Sequence, residues 1–88
     1  MLFSQKPARQ KRADLRLALG SKKLLRFPGA FSPLVSMLIE QIGFDGVYIS
    51  GAVLSNDLGM PDIGLTTLSE VTMRGRAIAR VTELPAII

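Results

Sequence analysis

Apolar residues recur along this chain in patterns that alternate between helical and strand-like spacing. Within residues 10–20, Leu15, Ala18 and Leu19 fall on one face of a short helix that the following glycine can end. The apolar run at residues 24–29 closes on a proline and a glycine, which predicts a short buried strand. The first 29 residues therefore predict a helix followed by a strand.

A second helix and a second strand come next. Ser32 stands at an N-cap position ahead of Pro33, whose missing N–H costs nothing in the first turn. Gly43 stands where the C-terminal cap is expected. The apolar face of this helix contains Leu34, Val35, Leu38, Ile39 and Ile42. Residues 46–50 then predict the second strand.

The third helix is predicted to begin at Thr67, which forms a capping-box pattern with Glu70. Leu84-Pro85 ends its pattern, and residues 86–88 predict the start of a third strand. Residues 51–66, between the second strand and this helix, predict a long glycine-rich loop. A connection of that length inside a compact domain is usually functional or disordered.

This order of elements predicts an α/β fold. Strands that alternate with helices imply right-handed βαβ units and a parallel sheet. Such a sheet is covered on both faces or closed into a barrel. Two strands and the beginning of a third can do neither, so we expect the chain to be the front part of a larger α/β domain.

Composition narrows the chemistry that these residues can perform. The 88 residues suffice for one small domain, and a hydrophobic content of 48% with a mean hydropathy of +0.32 argues against disorder. No apolar run is long enough to span a membrane. Because the sequence has no cysteine and no histidine, thiolate and imidazole chemistry is excluded within it. Serine, tyrosine, carboxylates and basic side chains remain.

The positive charge is concentrated near the amino end. Residues 1–26 contain eight of the eleven basic side chains and a single acid, Asp14. Such a segment could bind nucleic acid or anionic lipid, but no aromatic residue lies between Lys6 and Arg26 to stack on bases. We expect a solvated helix face and neither a nucleic-acid nor a membrane partner. A cytoplasmic location is expected; a cleaved targeting peptide for the mitochondrial matrix is the alternative.

The predicted loop lies where an α/β sheet binds ligands, at the carboxyl end of a strand. Ser50 can offer a hydroxyl there, and the N–H groups after it can form a concavity for an anion. Asp57 and Asp62 can hold a metal-bound water. Equally, Ser50 can simply end the strand, and "MPDIG" is good turn chemistry without any ligand. Neither common nucleotide-binding glycine motif is present.

Three stretches resemble the isocitrate lyase and phosphoenolpyruvate mutase superfamily, and within it most closely the 2-methylisocitrate lyase family. "GFDG" at residues 43–46 matches the family's helix end, and "YISG" at 48–51 matches its second strand. "LGMPDIG" at 58–64 matches the loop motif L-G-x-P-D-x-G. "RFPGAFSPL" before them is similar to the family's first strand and helix start. The resemblance covers roughly residues 11–88.

The resemblance implies the N-terminal portion of a (β/α)₈ barrel with an extra N-terminal helix. Residues 10–20 would supply that helix, residues 24–88 the first βα units of the single domain, and residues 1–9 a flexible lead. It also implies Mg²⁺-dependent carbon–carbon cleavage of a tricarboxylate, 2-methylisocitrate, into pyruvate and succinate during propionate breakdown. A homo-oligomer is implied for the full-length family.

Carried over by position, the resemblance places Ser50, Gly51 and Ala52 against the carboxylate and carbonyl end of the substrate. Tyr48 would lie beside them, and Asp62 would support the metal's water shell. The family's metal aspartates, cysteine loop and substrate arginine come later than Ile88, so we expect no catalytic or metal-ligating residue among these 88 and no activity from them alone.

The alternatives are of two kinds. Isocitrate lyase, oxaloacetate hydrolase and the phosphonopyruvate enzymes share these early motifs. A truncated, non-catalytic protein that only associates with barrel subunits is the other interpretation.

Overall fold

The computed structural model describes residues 3–88. The helices and strands, in chain order, are α1 (Ala8–Gly20), α2 (Pro33–Ile42), β1 (Val47–Tyr48), α3 (Gly51–Asp57), α4 (Leu68–Ala79) and β2 (Ala86–Ile87). Two helices thus precede each strand, which differs from the predicted alternation because residues 24–29 form no strand and α3 is an additional helix. The proposal that residues 1–9 are flexible stays a prediction, and residues 1 and 2 lie outside the described part.

The sheet is parallel. β1 pairs with β2 in the register Val47↔Ala86 and Tyr48↔Ile87, which confirms the predicted direction. The strand predicted at residues 24–29 is wrong in extent, because only one bridge forms there, between Gly29 and Tyr48. Pro28 has no N–H to give to a ladder, although its carbonyl accepts from the Tyr48 N–H at 2.9 Å. The segment therefore runs beside β1 as an extended chain rather than as a strand.

Helix α2 has the ends that its sequence predicts. The Ser32 Oγ accepts a hydrogen bond from the Val35 N–H at 3.4 Å, and Pro33 is the first helical residue. Gly43 ends the helix at φ 104°, a left-handed conformation in which a side chain would be strained. Both predicted boundaries are confirmed.

The core lies on one face of the sheet, between the strands and the helices. Its buried apolar residues are Ala30, Ile39, Val47, Ile49, Leu54 and Ile78. The opposite face is open: Tyr48 is 45% exposed and Ile87 44%, whereas Val47 is fully buried. Phe27 covers Gly46, where an added Cβ would come within 2.0 Å of the Phe27 ring. One face of the sheet is therefore a packed core and the other has no cover within the described residues.

The region predicted as a loop contains a helix, which corrects the sequence interpretation of residues 51–66. α3 fills the first seven of these positions, and its Leu54 and Ser55 are buried. Glycine, asparagine and aspartate in this stretch favour turns, but burial of Leu54 against the core outweighs their weak individual preferences. From Leu58 to Thr67 the chain is irregular, with Gly59 and Gly64 at positive φ.

Helix α4 begins with the predicted capping box. The Thr67 Oγ1 accepts from the Glu70 N–H at 3.1 Å, and a Glu70 carboxylate oxygen accepts from the Thr67 N–H at 2.9 Å. At the C-terminal end of α4, a side chain of α1 contacts the last turn: the Lys11 Nζ donates to the Ala79 carbonyl at 2.9 Å. A lysine at a helix C-terminus satisfies an unpaired carbonyl and complements the helix dipole.

Candidate functional site

The candidate site is the carboxyl end of β1, where the chain leaves the sheet and enters α3. Tyr48 lies in the strand with its side chain on the open face, since its neighbours Val47 and Ile49 are buried on the core face. Ser50 follows at the strand end and is half-buried. The structure therefore brings Tyr48 and the Ser50–Ala52 stretch to one edge of the sheet.

Ser50 has a double role in the local structure. Its Oγ accepts a hydrogen bond from the Val53 N–H at 3.4 Å, and its carbonyl accepts from the Leu54 N–H at 3.1 Å. The Ser50 hydroxyl can still donate its own hydrogen. Among residues 3–88 the N–H groups of Gly51 and Ala52 have no acceptor. One hydroxyl and two backbone N–H groups are thus available as donors at this edge.

Asp62 lies away from this cluster of donors. It belongs to an exposed turn over residues 62–64, in which the Ile63 N–H donates to the Pro61 carbonyl at 3.0 Å. No hydrogen bond or ion pair links Asp62 to Ser50, Gly51 or Ala52 within the described chain. Its carboxylate is consequently open to water, but the structure does not join it to the other candidates.

Asp57, the other acid in this stretch, is occupied by a residue that the sequence analysis missed. Arg74 in α4 forms an ion pair with the Asp57 carboxylate and also donates from the same Nη2 to the Phe31 carbonyl at 3.1 Å. Asp57 is therefore a structural partner rather than a water ligand. No local pattern reveals this contact, because Arg74 is 17 residues from Asp57 and 43 from Phe31.

The residues present do not by themselves form a metal site. Across residues 3–88, no three acidic, histidine or cysteine side chains come together closely enough to hold a metal ion. A hard divalent cation such as Mg²⁺ needs several oxygen ligands, often one or two carboxylates with waters. Asp62 alone does not meet that requirement.

The basic segment is folded onto the opposite end of α4. The Lys6 Nζ pairs with Asp14 at 2.9 Å, and this hydrogen bond raises the pKa of Lys6 and lowers that of Asp14. Burial lowers the pKa of Lys11, whose ammonium lies against the Ala79 carbonyl. No residue of α1 is fully buried, which agrees with the predicted solvated helix face. In the part of the chain described here, no helix is both long and apolar enough to cross a bilayer.

Comparison with known proteins decides the family. No family model matches the chain. However, it is 54% identical over 88 residues to a probable 2-methylisocitrate lyase 2 of Corynebacterium glutamicum. The aligned residues make up 99% of this chain and 29% of that protein. It is 40% identical over 74 residues to a 2-methylisocitrate lyase of Aeropyrum pernix, covering 84% and 24% of the two chains.

Solved structures similar to this chain belong to the same superfamily as these sequence relatives. A phosphonopyruvate hydrolase in complex with oxalate and Mg²⁺ superposes with a TM-score of 0.82 at 38% identity, over 86% of this chain and 27% of that one. The chain belongs to the isocitrate lyase and phosphoenolpyruvate mutase superfamily. A phosphoenolpyruvate phosphomutase from Streptomyces platensis subsp. rosaceus gives a TM-score of 0.79 at 32% identity, over 84% and 26% of the chains.

The family and the fold class predicted from the sequence motifs are thus confirmed. The α/β fold is that of the superfamily's barrel, and the chain spans only 24–29% of the length of these relatives. Its three strand-like segments account for only part of such a barrel, which explains why one face of the sheet is open.

Proposed function

We propose that the full-length protein, meaning a polypeptide of its relatives' length that carries this sequence, cleaves 2-methylisocitrate to pyruvate and succinate. The observation that carries the proposal is the 54% identity, over 99% of this chain, to a probable 2-methylisocitrate lyase. A second probable 2-methylisocitrate lyase from the same organism is 53% identical over 79 residues. Such a lyase would act in propionate breakdown, in the cytoplasm, as a homo-oligomer.

Within that enzyme, Ser50, Gly51 and Ala52 would bind the carboxylate and carbonyl end of the substrate, and Tyr48 would line the site beside them. The support is their position at the carboxyl end of a strand, where enzymes of the barrel class build their sites. Their hydroxyl and backbone N–H donors suit an anion rich in oxygen, such as a tricarboxylate.

The enzyme would depend on Mg²⁺ held by residues other than those described here. The support is a related phosphonopyruvate hydrolase solved with oxalate and Mg²⁺. Asp62 would contribute by accepting a hydrogen bond from a water on that ion, since its carboxylate is exposed and unpaired among residues 3–88. The 88 residues alone would then be inactive.

A second candidate function is hydrolysis of phosphonopyruvate. It is favoured by the 38% identity and the TM-score of 0.82 to a phosphonopyruvate hydrolase. Both reactions release pyruvate, so pyruvate alone does not separate them. The lyase remains the better supported, because its named relatives match more of the chain at higher identity.

The test is a substrate panel on the purified full-length protein with Mg²⁺. With 2-methylisocitrate, we expect pyruvate and succinate in equal amounts, and with phosphonopyruvate no release of phosphate. Phosphate without succinate would transfer the assignment to the second candidate. Failure to cleave either substrate would refute both. The 88-residue chain, assayed in parallel, is expected to release neither product.

A further inference from the structure

Arg74 joins three separate parts of the molecule through one guanidinium group. It extends from α4, donates to the Phe31 carbonyl at 3.1 Å and forms an ion pair with Asp57 at the end of α3. Phe31 lies just before α2, and Asp57 is the last residue of α3. Arg74 therefore attaches the segment before α2 and the end of α3 to α4. Arginine suits this task because the Nη2 of its guanidinium carries two N–H donors, one for each acceptor.

The register of the sheet shows why these two connections matter to each other. Gly29 bridges Tyr48 in a parallel arrangement. Phe31 lies two residues after Gly29, and Ser50 lies two residues after Tyr48. The two segments of the chain therefore leave the sheet at the same level. Arg74 holds the first segment directly, through the Phe31 carbonyl. It holds the second through Asp57, the last residue of the helix that Ser50 caps.

The charge of Arg74 is largely balanced where it lies. The Asp57 carboxylate is its ion-pair partner, and the two side chains are 31% and 37% exposed. An arginine neutralised in this way has little net charge left to attract a substrate anion across the site. Its contribution is therefore geometric.

We propose that Arg74 is a positioning residue that holds α3 against the Phe31 connection and thereby sets the place of Ser50, Gly51 and Ala52. This inference rests on the proposed substrate role of those three residues. Asp57 is the second half of the same device, because without it Arg74 keeps only the Phe31 carbonyl. The exposed Arg76, on the same helix, makes no side-chain hydrogen bond or ion pair within residues 3–88 and takes no part.

The experiment compares Arg74→Met with the matched control Arg76→Met in the full-length protein. Because misplacing a binding group by about 1 Å can cost up to about 100-fold, we expect kcat/KM for 2-methylisocitrate to fall about 10- to 100-fold in Arg74→Met. Most of the change should be in KM, since substrate binding is what is misplaced. Arg76→Met should match the wild type. An unchanged KM in a folded Arg74→Met protein would overturn the proposal.

Two further variants separate a positioning role of Arg74 from a general loss of folding. Asp57→Ala should give a similar rise in KM, and the Arg74→Met/Asp57→Ala double variant should be little worse than either, because the two act as one unit. If Arg74→Met does not fold, Asp57→Ala alone decides: a wild-type KM refutes the inference. Additive losses in the double variant would also refute it.

A readout without substrate distinguishes this inference from the proposed function. Amide hydrogen exchange across residues 50–58 should be faster in Arg74→Met than in Arg76→Met, because the end of α3 is no longer held. Equal exchange in the two variants would contradict the positioning role whatever the substrate is. Faster exchange in a protein that does not cleave 2-methylisocitrate would leave Arg74 as the anchor of α3 and refute only the proposed function.

Discussion

The two connections that leave the carboxyl end of the sheet begin alike and then differ. After the Gly29–Tyr48 bridge, the first connection needs only residues 30–32 to reach α2. The second uses residues 49–67 to reach α4 and includes the extra helix α3. Closing the fold does not require so long a path, because helix connections in α/β units commonly take about 2–6 residues. The additional chain is at the connection where the site is proposed.

The serine caps show that the local chemistry of the two helix starts is the same. Ser32 accepts from the Val35 N–H and Ser50 from the Val53 N–H, each at 3.4 Å. The residue after the cap differs. Pro33 has no N–H, whereas Gly51 has an N–H and no side chain that could block access to it. A serine cap is thus not a functional sign by itself. The residue after the cap distinguishes the two connections.

The largest effect is expected from Ala52→Leu, because the leucine would fill the space that we propose the substrate occupies beside the second residue of α3. In the full-length protein we expect kcat/KM for 2-methylisocitrate to fall by about 100-fold or more with normal folding. Leu34 occupies the same position in α2 and is 71% exposed, so Leu34→Ala is the matched control. Wild-type kinetics in Ala52→Leu would remove the distinction between the two connections.

The serines themselves provide the next comparison. Ser32→Ala and Ser50→Ala should each lower the free energy of unfolding by about 1 kcal/mol, because each loses a helix cap. Only Ser50→Ala should also raise KM, since only its hydroxyl would touch the substrate. Denaturant unfolding and steady-state kinetics on the two variants measure both effects. If Ser50→Ala lost stability but kept its KM, Ser50 would be a cap and nothing more.

A smaller effect is expected from the acid on the second connection. Asp62→Asn should leave the thermal transition in place and lower kcat about tenfold, the lower end of what removing a partner of a metal ligand costs. Asp45→Asn is the control, because Asp45 lies before β1 and accepts from the Arg26 N–H at 2.8 Å. Equal kcat values in the two variants would show that the "LGMPDIG" turn is scaffold.

The smallest effect concerns the cap of α4, at the end of the second connection. The Thr67 N–H hydrogen bond lowers the pKa of Glu70 below its ordinary value of 4.5. A carboxylate with a lowered pKa stabilises the fold above its unfolded pKa, and the benefit disappears as the pH falls through the folded pKa. Glu70→Gln should therefore lower Tm slightly at neutral pH and not at all in strong acid. A difference in Tm that stays constant with pH would contradict this.

Much of the fold was predictable because its signals are local. Ser32-Pro33 and Gly43 mark both ends of α2, and Thr67 with Glu70 marks the start of α4. Each of these depends on residues at most a few positions apart, which a sequence shows directly.

The missed features depend on contacts that the folded chain makes at a distance. α3 is too short to be stable by itself and exists because Leu54 is buried in the core. The Arg74 contacts need α4, Asp57 and Phe31 to be already in place. The motif at residues 48–51 located the candidate site, but it could not show that a helix comes after it.

We propose that the second connection, and not the first, holds the substrate. The most direct measurement is a crystal structure of the full-length protein with Mg²⁺ and either pyruvate or oxalate. We predict a ligand oxygen within hydrogen-bond distance, about 3 Å, of the Ser50 hydroxyl or of the Gly51 or Ala52 N–H. A ligand bound in the same barrel with none of these groups near it would show that the second connection does not hold the substrate.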